Sequence, residues 1–258
     1  MIRATAICAA ILLATASTPA MSQQRGNRAL ATVITAYEQT ARRYDPLTSA
    51  SEGDRAALRV LPDSSRESDM RQRAELVALT ARLERVPTRG LNEEDALNRA
   101  YLLRVIDQSI EGIDLDFGRA PISNGDGYFT FGDYLAYTTP IQSRDDAEAW
   151  LSRLSALPGM YRQSVANARR GIETGYTQPR ITVDRALATA RAQVATMEQT
   201  LMTPLASMPD TIPAAQQEEY RNRARTIIRD QILPAHRETV TFIESEYLPA
   251  ARAGLGLR

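Results

Sequence analysis

The chain of 258 residues contains no lysine, a single cysteine, a single histidine and a single tryptophan. Cys8 lies within an apolar stretch near the start, so a product cleaved after that stretch has no disulfide, no thiolate nucleophile and no cysteine metal ligand. With lysine missing, all 31 basic residues are arginines, which stay charged and offer a planar fork to carboxylates. Codon bias in a GC-rich genome accounts for that choice. The 31 acidic residues balance them, and no run of five basic residues occurs. The chain therefore presents no field to draw nucleic acid or an anionic membrane, and neither is expected as a partner.

What is present begins with the pattern expected of a signal peptide. Met1-Ile2-Arg3 is followed by an apolar run from Ala4 to Ala16 and by Ser17-Thr18-Pro19-Ala20-Met21-Ser22. This is a charged start, a short apolar core and a small-residue cleavage site, with cleavage expected before Gln23. A membrane anchor needs roughly 20 apolar residues, more than this run supplies. Cys8 sits inside the core rather than after it, which argues against a lipid anchor. The chain is thus expected to be exported, periplasmic or secreted, with residues 1–22 as signal peptide and residues 23–258 as one domain.

After the signal, 43% apolar composition for the whole chain is enough for a sizeable core. Leu30, Val33, Ile34, Tyr37, Ala41 and Tyr44 step by three and four and predict a helix ending at Pro46. A Ser/Asp/Pro-rich connector follows, then a helix over about 69–86 carrying Leu76, Leu79, Leu83 and Val86. Asn92 is a good cap for a third helix, with Leu103, Ile106, Ile110, Ile113 and Phe117 as its buried stripe. Ser143 and Asp146 form the aspartate version of a capping box and open a helix expected to stop at Pro158, with another over 161–172. Thr182 is the expected cap of the next helix, which carries Leu187, Ala190, Val194, Met197 and Leu201 and ends near Pro204. Pro213 opens a last long helix that Pro234 is expected to kink or break. The reading is an all-α, antiparallel array of about seven helices, with no internal repeat.

A zinc site needs three or four ligands, and one histidine, His236, cannot form the two-histidine helix of a gluzincin. Serine catalysis would have only that imidazole as base, and no Gly-x-Ser-x-Gly elbow occurs. Acid pairs such as Glu93-Glu94 and Asp145-Asp146 fall where helices begin and are explained by dipoles. No catalytic or metal-binding residue is assigned.

The unusual stretch is Gly118–Gln142, where Gly125, Gly127 and Gly132 are interleaved with Tyr128, Phe129, Phe131, Tyr134 and Tyr137. Alternation over 128–133 suggests a short strand or hairpin. One reading makes this a cleft-lining loop, with Asp126, Tyr128, Phe129 and Tyr134 as candidate ligand contacts. The other has the rings filling apolar space under a long connection.

Several segments resemble the bacterial family called domain of unknown function 885. They are Leu61-Pro62-Asp63-Ser64, Leu91-Asn92-Glu93-Glu94-Asp95, Pro121-Ile122-Ser123 with Asp126-Gly127-Tyr128, and the run Asp145 to Pro158. The likeness continues through Arg169 to Arg180, Ile232-Leu233-Pro234-Ala235 and Glu246 to Ala251. The resemblance implies a helical, often exported protein whose full-length members are regarded as gluzincin-type zinc metallopeptidases, built around a His-Glu-x-x-His helix in the carboxy-terminal half. No family zinc ligand or general base falls on a residue of this sequence. Family members often carry a histidine after Gly-Gly-Phe, where this chain reads Gly127-Tyr128-Phe129-Thr130.

The expectation is therefore the amino-terminal, non-catalytic helical portion of a metallopeptidase-like protein, truncated or a fragment. Zinc would belong to the other half, and a peptide substrate to the complete protein. The alternative is a self-sufficient periplasmic helical binding or scaffold protein.

Overall fold

A computed structural model describes residues 27–255. The expected signal peptide lies outside the described residues. Within them the protein is all-α, apart from one two-stranded hairpin.

Helix α1 (Arg28–Tyr44) starts where the Asn27 side chain accepts the Leu30 N–H, while the Asn27 N–H donates to Asp95 at 2.8 Å. Pro46 follows its last turn and opens the short helix α2 (Pro46–Ser51), and a 3-10 turn covers Ala57–Arg59. Helices α3 (Arg66–Glu84) and α4 (Glu93–Leu115) are capped by Ser65 and Asn92, the latter as its residue type demands. Leu30, Val33, Leu76, Leu79, Leu83, Val86, Leu102 and Ile106 close over one another as a separate small core shared by α1, α3 and α4.

The larger core is built by α5 (Phe131–Thr138), α6 (Arg144–Glu173), α7 (Arg180–Ala206) and the last helix around Trp150, Leu154, Tyr161, Leu201 and Tyr247. Here Pro158 corrects the expected break, because α6 runs through it for 30 residues. A proline inside a helix costs about 3 kcal/mol. Leu154, Leu157, Met160 and Tyr161 around it are all buried, at roughly 1.5–3 kcal/mol each, so packing outweighs the missing bond. Helix α7 ends at Ala206, close to Pro204 as expected, with that proline in its last turn. Ser143 caps α6 as read, its Oγ accepting the Asp146 N–H, while the Asp146 carboxylate reaches one residue farther back than in a standard capping box and accepts the Gln142 N–H and the Ser143 hydroxyl. Thr182, in contrast, caps nothing. Helix α7 begins two residues earlier, where the Arg180 N–H donates to the Arg252 carbonyl at 2.8 Å in a short parallel bridge. The chain after the last helix thus supplies what a capping side chain would.

That last helix is continuous from Ala214 to Ala250, as α8 (Ala214–Ile227), a π turn (Ile228–Ile232), α9 (Leu233–Phe242), a second π turn (Ile243–Tyr247) and a final turn, α10 (Leu248–Ala250). In both π turns the leucine N–H reaches back five residues, Leu233 to Ile228 and Leu248 to Ile243, and a proline follows directly. A proline has no N–H to give and crowds the carbonyl four residues before it, so widening the preceding turn lets the helix pass instead of breaking. The two turns, 15 residues apart, are a local repeat, Ile-x-x-x-Ile/Tyr-Leu-Pro-Ala, that the sequence reading passed over.

Candidate functional site

Between the two cores the chain crosses through the Gly/aromatic segment. Helix α4 ends as Asp116 takes the left-handed conformation, φ +51°, the sole non-glycine to do so among the described residues. Its carboxylate holds the crossing together. Arg170 of α6 donates to it through two nitrogens at 2.9 and 2.8 Å, and Arg66 and Arg119 stand at 3.6 and 3.4 Å. Burial alone would raise the Asp116 pKa, but the three guanidinium groups outweigh it and hold the carboxyl below its ordinary range. Arg66 also donates to the Ile113 carbonyl, satisfying an acceptor that the end of α4 leaves free. Arg119 lies over the Tyr176 ring at 4.4 Å, and its carbonyl packs onto Gly171, where a Cβ would overlap it. Glycine is required at 171 by this close approach.

The hairpin follows. Strands β1 (Ile122–Ser123) and β2 (Asp126–Gly127) pair antiparallel around a tight turn with Gly125 at φ +77°. The expected strand over 128–133 is replaced by a 3-10 turn, Tyr128–Thr130, and α5. The alternating rings sort by burial instead: Phe129 is 1% exposed against Tyr128 and His236, and Tyr134 stands 57% exposed. Asp126 anchors the turn by accepting from the Gly127 N–H at 2.7 Å and from the Thr130 hydroxyl.

A cleft of about 750 Å³ lies between these pieces. One wall comes from α3 and α4, with Ser68, Asp69, Gln72, Ser109 and Ile113; the other comes from the hairpin, Tyr128, Phe131, Tyr134 and, on α6, Ser164 and Asn167. Of the four candidate contacts, Asp126, Tyr128 and Tyr134 lie on the wall, while Phe129 is buried behind it and accepts from the Tyr161 hydroxyl through its carbonyl. Phe117, read as part of the buried stripe of α4, is 57% exposed at the cleft, because Asp116 has already turned the chain out of the helix. The lining carries Asp63, Asp69, Asp116 and Asp126 and no basic residue. Asp63 and Asp116 are engaged by arginines from outside the lining, Arg71 and Arg170. Burial raises the pKa of Asp69, with Arg66 at 3.8 Å working against it.

Chemically the cleft can hold a ligand by hydroxyls, amides, carboxylates and ring edges, but none of its serines meets an imidazole. His236 lies elsewhere, fully buried, with Nε2 2.7 Å from the Ala190 carbonyl and its ring edge-on to Phe129 and Tyr161. Burial lowers its pKa and keeps it neutral. Among the described residues no group of three or more His, Cys, Asp or Glu side chains is arranged to hold a metal ion.

With the fold and cleft in view, comparison with known proteins gives one family. The profile of "Bacterial protein of unknown function (DUF885)" matches residues 46–256. The chain belongs to this family. Among curated proteins, none matches this DUF885 chain in sequence. Among solved structures it is similar to the crystal structure of a "putative lipoprotein" from Colwellia psychrerythraea, with a TM-score of 0.72 at 12% identity. That likeness is one of fold. It covers 87% of the DUF885 chain described here and 42% of the Colwellia chain, so this chain spans less than half the length of that protein.

The residues that sequence reading missed are those that clamp the crossing. Asp116 and Arg170 stand 54 positions apart, and only the neighbouring Gly171, within a family-like segment, hinted that this stretch makes a close contact.

Proposed function

We propose that this chain is the amino-terminal, non-catalytic helical part of an exported, zinc-metallopeptidase-like protein, and that its cleft forms one wall of a peptide-binding groove. The observation that carries this reading is the cleft itself. It is of a size that accepts several residues of an extended peptide. Its lining of hydroxyl, amide, carboxylate and aromatic groups suits peptide N–H groups and side chains, and it contains neither a nucleophile–base pair nor a ligand cluster. The chemistry would then reside in the remainder of a longer protein. The greater length of the similar Colwellia chain supports that division, and the family resemblance supports its being zinc chemistry. Export is supported by the amino-terminal charged and apolar pattern, and among the described residues no helix is long and apolar enough to cross a membrane.

The test compares residues 23–258 with a reading frame extended to the length of the Colwellia relative. The shorter protein is expected to hydrolyse no peptide with zinc supplied, and the longer one to gain hydrolysis that a chelator removes. Stoichiometric zinc binding and chelator-sensitive cleavage by residues 23–258 alone would overturn the proposal. A continuation unrelated to the family would favour a self-sufficient binding protein.

A further inference from the structure

A second cavity, of about 360 Å³, lies between α2, α5 and α6 and is walled by Leu47, Leu58, Leu135, Ala149 and Trp150. Arg153 of α6 is also on its lining and is 4% exposed. Among the described residues its one hydrogen bond runs from Nη2 to the Ala57 carbonyl at 3.2 Å, and its Nε is buried with no partner. No carboxylate among the described residues lies within ion-pairing distance of it. A guanidinium cannot shed its proton in a protein, so this is a buried charge with one backbone acceptor and an unpartnered Nε.

The neighbouring acid does not serve it. Asp146, on the same lining, is engaged by Arg55 at 2.7 Å and by the capping box at the start of α6. Arg55 in turn is balanced by Asp145 and Asp146. The pocket therefore carries one positive charge in excess, set in apolar walls.

We propose that this pocket binds the carboxylate of a small apolar molecule or of the last residue of a peptide, with Arg153 as its counter-ion. A single forked cation matches a planar, monoanionic carboxylate, and Asp146 disfavours a second negative charge such as a phosphate dianion carries. The aliphatic and indole walls accept one hydrophobic side chain. Tyr134 borders both this pocket and the larger cleft, so a chain anchored here has a way onward into that cleft. The proposal does not depend on the peptidase reading and survives its failure.

Trp150, the sole tryptophan, lines the pocket and reports on it by fluorescence. Residues 23–258 are titrated with N-acetyl-leucine, N-acetyl-leucinamide, inorganic phosphate, and a tetrapeptide ending in leucine with a free or amidated terminus. The acids are expected to bind saturably and roughly 10- to 100-fold more tightly than their amides, the range of one charge-assisted contact. A peptide acid stronger than N-acetyl-leucine identifies a peptide end, and equal affinities identify a small acid. Arg153→Met, which keeps the apolar stem, is expected to abolish the preference for acid over amide. Should that variant fail to fold, the acid–amide comparison on the unaltered protein still decides. Equal affinity for acid and amide, phosphate binding as tight as carboxylate, no saturable binding, or an acid preference that survives Arg153→Met in a folded protein would each overturn the proposal.

Discussion

Asp116 shows how much one side chain can be asked to do. It leaves α4 in a left-handed turn and gathers Arg66, Arg119 and Arg170 where the two cores meet. A carboxyl whose folded pKa lies below its unfolded value, about 3.9, adds stability that is fully present above that value. That stability fades as the pH falls through the folded pKa. Asp116→Asn is therefore expected to lower stability by about 1–3 kcal/mol at pH 7, the range for partly buried charge-assisted bonds. The gap to the unaltered protein should close as the pH drops below about 4. Thermal melts of both proteins at pH 7 and pH 3 check this, and a gap of constant size would contradict it. Such a residue is hard to read in advance. Its neighbour Phe117 reads as the last residue of the α4 stripe, which hides the turn at Asp116, and its partner lies on a helix still to come.

At the scale of elements, the sequence was most readable where local chemistry settles the outcome. Asn92 and Ser143 cap the helices they were expected to cap, since their oxygens need only the next turn. Ser143→Ala is expected to cost about 1 kcal/mol, because the Asp146 N–H and the Asp146 carboxylate both lose a partner; chemical denaturation with an unchanged slope measures it. The reading failed where distant packing intervenes. Pro158 looks like a stop in isolation, yet the core on both sides of it is worth more than the bond it lacks. Thr182 looks like a cap, yet Arg252, 70 positions onward, closes that helix end instead. The alternation over 128–133 looks like a strand, yet Phe129 is drawn inward to His236 while Phe131 and Tyr134 tilt together 6.2 Å apart.

For the whole molecule, two cores of unequal size meet across a cleft. The smaller one rests on seven buried apolar side chains of α1, α3 and α4 and on Val86 just past the end of α3. Polar ties reinforce the crossing: Asp116 to Arg170, Ser64 to Asn167 at 2.7 Å, and Asp63 to Gln163 at 3.0 Å. Amide hydrogen exchange should accordingly find α1 and α3 opening at lower free energy than the middle of α6 and α7, as a separate cooperative unit. Uniform protection across both cores would contradict it. Half of the cleft was legible in the sequence, as the crowded Gly/aromatic segment. The opposite wall, Ser68, Asp69 and Gln72, was not, since on α3 these residues read as an ordinary solvated face. Arg153 was equally hidden, one of 31 arginines until its surroundings are known.

The two widened turns of the last helix tie chain length to proline content. Each holds one residue more than an α turn, and each is followed by a proline that would crowd an unwidened one. A lineage that lost the extra residue near Ile228 while keeping Pro234 would drive the ring into the carbonyl four positions back. One that lost the proline could dispense with the extra residue and leave the remainder of the helix in phase. Insertion and proline are thus expected to be inherited together, and among DUF885 relatives a single-residue gap at either turn should travel with a missing proline.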